Sequence, residues 1–448
     1  MSQQPKPHVF NAKWQREADL KRVLSEPSNL EILTSSSVTS PDDPGLMSLL
    51  SQALKLQNLG FEILGSNPDP ILQTAFMFFR KSLKDAKSTV AGHYEHRKLQ
   101  PYSVADLLAA LHTGSAPSDL KVDLPTICIV WREHSQAEAG RKFMTESICL
   151  RADDIDLLDG YYIVEGDEPV IFLSSKSDEP GFEVELVVIR GAAFKFEHSA
   201  EFYAWFQNVV MAACDEHCNT RPNHPGSIVQ LGWNAGPRHV TIFGLAKSYA
   251  KEIGKNAIIV HDKDAVAVLS IMWGLVESLI PEEVVSEVNM RLDMEGMPCM
   301  ATRNVEPGPG YEFTIGGKLY CFPHVEWAPP EGYMSQDYVV WTHTDPSYGK
   351  YAFAWCVGRD VDLQAPLAFK PGGSFVEVEE HVIVHQAMGT LIAFKPDHQH
   401  GTSQLFGAHN RICSINFSSR ILDAFNIAKE KDQVIVGDGA GEGDRDNY

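Results

Sequence analysis

Trp341-Thr342-His343-Thr344-Asp345 overlaps the strand-forming run YVVWTH, and Asp397-His398-Gln399-His400-Gly401-Thr402 follows another such run, TLIAF. An imidazole and a carboxylate two residues apart on extended chain point to the same side. His343 and Asp345 can therefore reach one ion together. The second stretch offers two candidates for a third ligand. His398 and His400 are also two apart, so spacing cannot choose between them. Gly401 favours His400, because a missing side chain leaves room beside an ion.

Around these two stretches lie EFTI, KLYCF, YAFAWCVG, SFVEV, HVIVHQ and RICSINF, separated by Gly and Pro turns. Short strands at this spacing predict a sandwich or jelly-roll barrel over 281–430. That region opens with PEEVVSEVNMRLDMEG, which predicts a helix stopping at Gly296. Residues 125–280 mix strand-like TICIVW, YYIV, PVIFL and FEVELVVI with helix-like SAEFYAWFQNVVMAA, and are expected to pack on the core. Residues 46–124 read as a helical region, with Ser103 and Asp106 resembling a capping box. Residues 1–45 are expected to be a flexible segment and linker, and the glycine-rich 431–448 a disordered tail. The predicted class is α+β, a jelly-roll core with surrounding helices and an N-terminal helical region.

Composition narrows the function. The 448 residues carry 38 Lys plus Arg against 59 Asp plus Glu, a formal net charge of −21. Such acidity disfavours polyanion binding over the whole surface, though local patches can override it. One patch stands out: Arg80, Lys81, Lys84 and Lys87 share a predicted helix face and are candidate phosphate contacts. No uninterrupted apolar run is long enough to span a membrane, and the N-terminus lacks a hydrophobic signal region. The eight cysteines are scattered through apolar settings, as expected for a reducing compartment. Cys214 and Cys218 lack a second ligand pair at zinc spacing.

Two histidines and one carboxylate on one side of an ion leave three positions open, the arrangement of non-haem Fe(II) oxygenases. Arg411 opens RICSINF eleven residues beyond His400. Its guanidinium can grip the distal carboxylate of an organic acid bidentately.

At these residues the chain resembles the 2-oxoglutarate- and Fe(II)-dependent dioxygenases. Gly-Met-Pro-Cys-Met at 296–300, the HTD dyad, Gly372-Gly373 before a strand, and HGT with a closing Arg are similar to the TET/JBP branch, its fungal members above all. The resemblance covers roughly residues 280–420. It implies a double-stranded β-helix holding Fe(II) through His343, Asp345 and His400, with 2-oxoglutarate anchored by Arg411. Ascorbate is a possible co-substrate, as in one related enzyme. It further implies O₂-dependent oxidation of methyl groups on DNA bases, 5-methylcytosine or N6-methyladenine, and hence nuclear residence. Cys413 departs from the Ser or Thr that many relatives carry there. A flipped-out base would need aromatic stacking, for which Trp341, Tyr348, Phe353 and Trp355 are candidates. The net acidity favours a second reading, hydroxylation of a protein side chain or small metabolite. A third is a catalytically silent jelly-roll binding module.

Overall fold

The computed structural model describes residues 102–113, 127–132, 161–175, 181–192, 199–236, 241–246, 255–302, 311–315, 317–322, 328–362 and 371–430. The proposed N-terminal segment, most of the predicted helical region and the C-terminal tail lie outside these residues. So do Arg80, Lys81, Lys84 and Lys87.

Helix α1 (Val104–Thr113) and strands β1 (Cys128–Arg132), β2 (Tyr162–Val164), β3 (Val170–Ser175) and β4 (Phe182–Ile189) come first. Helix α2 (Ser199–Glu216), strands β5 (Ser227–Asn234) and β6 (Gly244–Leu245), and helices α3 (Lys255–Leu279) and α4 (Glu282–Glu295) follow. Strands β7 (Tyr311–Ile315), β8 (Lys318–Phe322), β9 (Glu331–Gln336), β10 (Ala352–Val361), β11 (Phe375–Glu377) and β12 (Val382–Val384) come next. The described chain closes with β13 (Leu391–Phe394), β14 (His400–Thr402), β15 (Ala408–Asn416) and helix α5 (Ser419–Glu430).

Two sheets dominate. One has nine strands in the order β1-β3-β4-β13-β10-β15-β9-β5-β6, the other four in the order β14-β11-β12-β2. They pack face to face through Phe172, Leu186, Ala352, Ile392 and Phe394 of the large sheet against Phe375, Val382 and Val384 of the small one. Strands from 125–280 are woven into both sheets. β4 pairs with β13, β5 with β9 and β2 with β12, so the two stretches share their hydrogen-bonded ladders rather than merely touching.

The large sheet's other face is covered by helices. Phe206 and Val210 of α2 and Leu269, Met272 and Trp273 of α3 pack on Phe353, Trp355, Cys413 and Ile415. A nearly all-apolar stretch explains why α3 has no clear amphipathic period, since residues 265–273 are buried on every side. Helix α4 does carry its stop signal. Gly296 adopts a left-handed conformation at φ 66°, and its N–H caps the carbonyls of Leu292 and Asp293.

Candidate metal centre

The segment 338–343 does not form a continuous strand. It runs extended beside β14, held by a single bridge between His343 and His400. Each donates its backbone N–H to the other's carbonyl at 2.9 Å, and Thr402 N–H reaches the Val340 carbonyl at 2.9 Å. The close approach accounts for Gly401. A Cβ there would lie 2.9 Å from the Thr342 nitrogen and 3.0 Å from both the Trp341 carbonyl carbon and the Val340 oxygen. The glycine thus makes space for the neighbouring backbone, not for a ligand. Asp345 is fixed in turn by its N–H, which donates to the Pro396 carbonyl at 2.7 Å.

His343, Asp345 and His400 converge, with ligand-capable atoms all within 4.8 Å of one another. Nε2 of His343 lies 3.7 Å from Asp345 Oδ1, and Nε2 of His400 lies 3.7 Å from Asp345 Oδ2. Each imidazole turns its Nδ1 to a backbone carbonyl, His343 to Trp341 at 3.0 Å and His400 to His398 at 2.9 Å. A carbonyl only accepts, so each Nδ1 carries the proton and each Nε2 keeps its lone pair for an ion. A hydrogen bond from the far ring nitrogen is what orients metal-bound histidines in general. The donor set of two nitrogens and one carboxylate fits a divalent iron.

The centre is open on one side and sealed on the other. The His343 and Asp345 side chains are 33% and 36% exposed, that of His400 only 7%. The rings of Phe394 and Phe375, 4.7 and 6.1 Å away, pack against His400. Burial alone would push Asp345 up. In their protonated form, His343 and His400 outweigh it by hydrogen bonding and charge and hold the carboxyl well below the usual range. His343 is raised, its Asp345 partner overcoming a burial that lowers it.

His398 points elsewhere. Its Nδ1 pairs with Glu377 Oε1 at 3.0 Å, in a buried network with Glu380, Glu185 and Lys395. On the other flank, the buried Glu331 accepts from the Ser418 N–H, from Gln230 at 3.2 Å and from the Tyr333 hydroxyl at 3.3 Å. Burial pushes Glu331 up to about 7 despite these donors, and the Asp345 charge adds to the shift. Neither Glu331 nor Tyr333 belongs to any spacing motif, so pattern alone does not find them.

Arg411 is not brought to this cluster. Side chains alternate along β15, and Cys413 and Ile415 lie in the core beneath α2 and α3. Arg411 shares their side. Its Nη1 donates to Gln207 Oε1 of α2 at 3.0 Å and to Asp360 Oδ2 at 2.7 Å. The expected co-substrate anchor therefore sits on the helix-covered face of the sheet, away from the intersheet space that holds His400. The Cys413 departure loses its bearing on the site for the same reason. Of the candidate stacking aromatics, Phe353 and Trp355 are fully buried under the helices. Tyr348 packs edge-on against Phe417, 5.7 Å away. Trp341 alone of the four stays half exposed, at 50%.

No family model matches the chain, and no curated protein does. Among solved structures it is similar to NgTET1 in complex with 5mC DNA. The TM-score is 0.32 and the identity 11%, over 65% of this chain and 99% of that one. It is also similar to an oxidoreductase of the 2OG-Fe(II) oxygenase family from Burkholderia pseudomallei. There the TM-score is 0.27 and the identity 15%, over 52% of this chain and 87% of that one. TM-scores this low carry no functional weight.

Proposed function

We propose that the chain is an Fe(II)- and 2-oxoglutarate-dependent dioxygenase that oxidises methyl groups on DNA bases, 5-methylcytosine or N6-methyladenine. One observation carries the oxygenase part. His343, Asp345 and His400 converge with both Nδ1 atoms spent on backbone carbonyls and both Nε2 atoms turned toward one carboxylate. The order β13-β10-β15-β9 facing β14-β11-β12, with 338–343 beside β14, supports a double-stranded β-helix around that centre. The DNA part is supported by the sequence likeness to the TET/JBP branch.

When bound, iron with 2-oxoglutarate and O₂ supplies the oxidising chemistry, releasing succinate and carbon dioxide while the substrate methyl is hydroxylated. The protein's own work is to bind and to aim. His343, Asp345 and His400 would hold the ion. Phe375 and Phe394 shield the His400 side from water. The exposed His343 and Asp345 side is the way in for substrate. Arg411 takes no part in this account, because it lies on the helix-covered face of the large sheet, where its Nη1 donates to Asp360 and Gln207.

Hydroxylation of a protein side chain or metabolite uses the same centre and is the second reading, favoured by the net charge of −21. The test is mass spectrometry of nucleosides after incubation with 5-methylcytosine and N6-methyladenine duplexes, with succinate measured alongside. An oxidised base with stoichiometric succinate supports the proposal. Succinate release indifferent to DNA points to the second reading.

A further inference from the structure

We propose that Glu331 is a positioning residue for Asp345, keeping that carboxylate in place for an ion by clasping the Ser418 N–H. This rests on the function proposed above and names the part of the fold that seats its one acidic ligand.

The path runs through backbone. Pro346, Ser347 and Tyr348 follow Asp345 directly and lie against Phe417-Ser418-Ser419, where β15 passes into α5. The Tyr348 N–H donates to the Phe417 carbonyl at 2.8 Å and the Ser419 N–H to the Pro346 carbonyl at 3.1 Å, on either side of a bridge between Ser347 and Ser418. The Ser347 hydroxyl adds a bond to the Phe417 carbonyl at 2.9 Å. The fit is close, for a Cβ on Gly349 would lie 2.8 Å from the Phe417 ring. In an antiparallel pair of this kind the Ser418 N–H points away from Ser347. Glu331 Oε1 accepts it. Glu331 thereby fixes the strip of chain on which the residues after Asp345 are seated.

A helix cap alone would not need this residue. Ser418 does begin α5, its carbonyl accepting from the Ile421 and Leu422 N–H groups at 3.0 and 3.3 Å. Caps are ordinarily supplied by a short polar side chain at the cap position itself. Glu331 comes instead from β9, inside the large sheet, and is only 1% exposed. A carboxylate buried so deeply is costly unless hydrogen-bonded throughout, and an apolar group of similar shape would hold a sheet as well. The fold spends three donors on it, from Ser418, Gln230 and Tyr333. Gln230 is anchored in turn on the Trp233 carbonyl at 3.1 Å. One carboxylate thus ties β5, β9 and the β15–α5 junction together. The Asp345 charge is felt at Glu331, so the two acids share one interior.

The test is Co(II) titration of the full chain, reading affinity and the visible absorption of the bound ion, with thermal melting alongside. Glu331→Ala should bind Co(II) about 10- to 100-fold more weakly, the range for losing a group that orients a ligand. Its absorption should change, because one ligand is misplaced. Glu331→Gln keeps an acceptor for the Ser418 N–H and should recover most of the affinity and the wild-type spectrum. A Glu331→Ala chain that melts lower yet binds Co(II) with wild-type affinity and spectrum overturns the proposal, since the carboxylate then only caps α5. So does a Glu331→Gln chain that binds no better than Glu331→Ala. Should Glu331→Ala fail to fold, Ser347→Ala reads the same path from the Asp345 side. It should weaken Co(II) binding by a smaller factor, and unchanged affinity there also overturns the proposal. A wild type that takes up no Co(II) overturns the proposed function and this inference with it, whereas normal uptake by the wild type and all variants overturns this inference alone.

Discussion

His343 and His400 exchange backbone hydrogen bonds, each N–H on the other's carbonyl at 2.9 Å. Two of three candidate ligands, fifty-seven residues apart, are thereby locked in register by the chain itself before any ion arrives. Anything that loosens this pair should act on metal affinity without touching a ligand atom.

Gly401→Ala is the most direct such change. Its Cβ would meet the Thr342 backbone nitrogen at 2.9 Å, so the two segments must separate. Loss of supporting contacts around a site typically lowers metal affinity about 10- to 100-fold. Co(II) titration of the variant should show a drop of that order, and wild-type affinity would mean that the ligands do not depend on the bridge.

Arg411→Ala should leave the apparent affinity for 2-oxoglutarate unchanged and cost about 0–1 kcal/mol of stability, because its partner Asp360 is 62% exposed. Calorimetric titration of the Co(II)-loaded variant with 2-oxoglutarate reads this out. A tenfold loss would return the anchoring role to Arg411.

That residue also shows where sequence stops being informative. The HTD dyad, HGT and strands such as FEVELVVI and TLIAF are legible because spacing two on extended chain is a local property. Which face of β15 carries Arg411 depends on register, and a slip of one residue moves every side chain to the other face. The neighbouring β10 even changes register between Cys356 and Gly358. Strands β5 and β9 are missed for another reason. β9 reads EGYMSQ, with Glu331 and Tyr333 turned toward a polar interior and Gly332 packed tightly against Leu269 and Met300. Its buried faces are not marked by an apolar pattern. The three-residue β14 is too short for periodicity to register.

Phe394→Ala should both destabilise the fold and weaken the metal. The ring is 6% exposed between the sheets and packs on His400 at 4.7 Å. Removing a buried Phe typically costs about 3–5 kcal/mol. Phe394→Leu should recover most of the stability. A Phe394→Ala chain that melts like the wild type would place the ring outside the core.

Stability should depend on pH through Glu380. Burial, with Glu185 and Glu377 beside it, pushes its carboxyl up to about 7 from 4.5. Its folded value is raised, so its contribution is fully present below about 4.5 and is lost as pH rises through about 7. Glu331, also near 7, acts in the same direction. Glu380→Gln should therefore show a shallower fall in Tm between pH 4.5 and 7 than the wild type. Parallel curves would mean that Glu380 does not titrate in that window.

The central claim is that one ion is held by His343, Asp345 and His400, with His398 turned away to Glu377. Anaerobic Fe(II) binding to the wild type, His343→Ala, Asp345→Ala, His400→Ala and His398→Ala tests it most directly. The account predicts one tightly bound iron per chain in the wild type and in His398→Ala, and none in the other three. Tight iron retained by His400→Ala, or lost from His398→Ala, would contradict it.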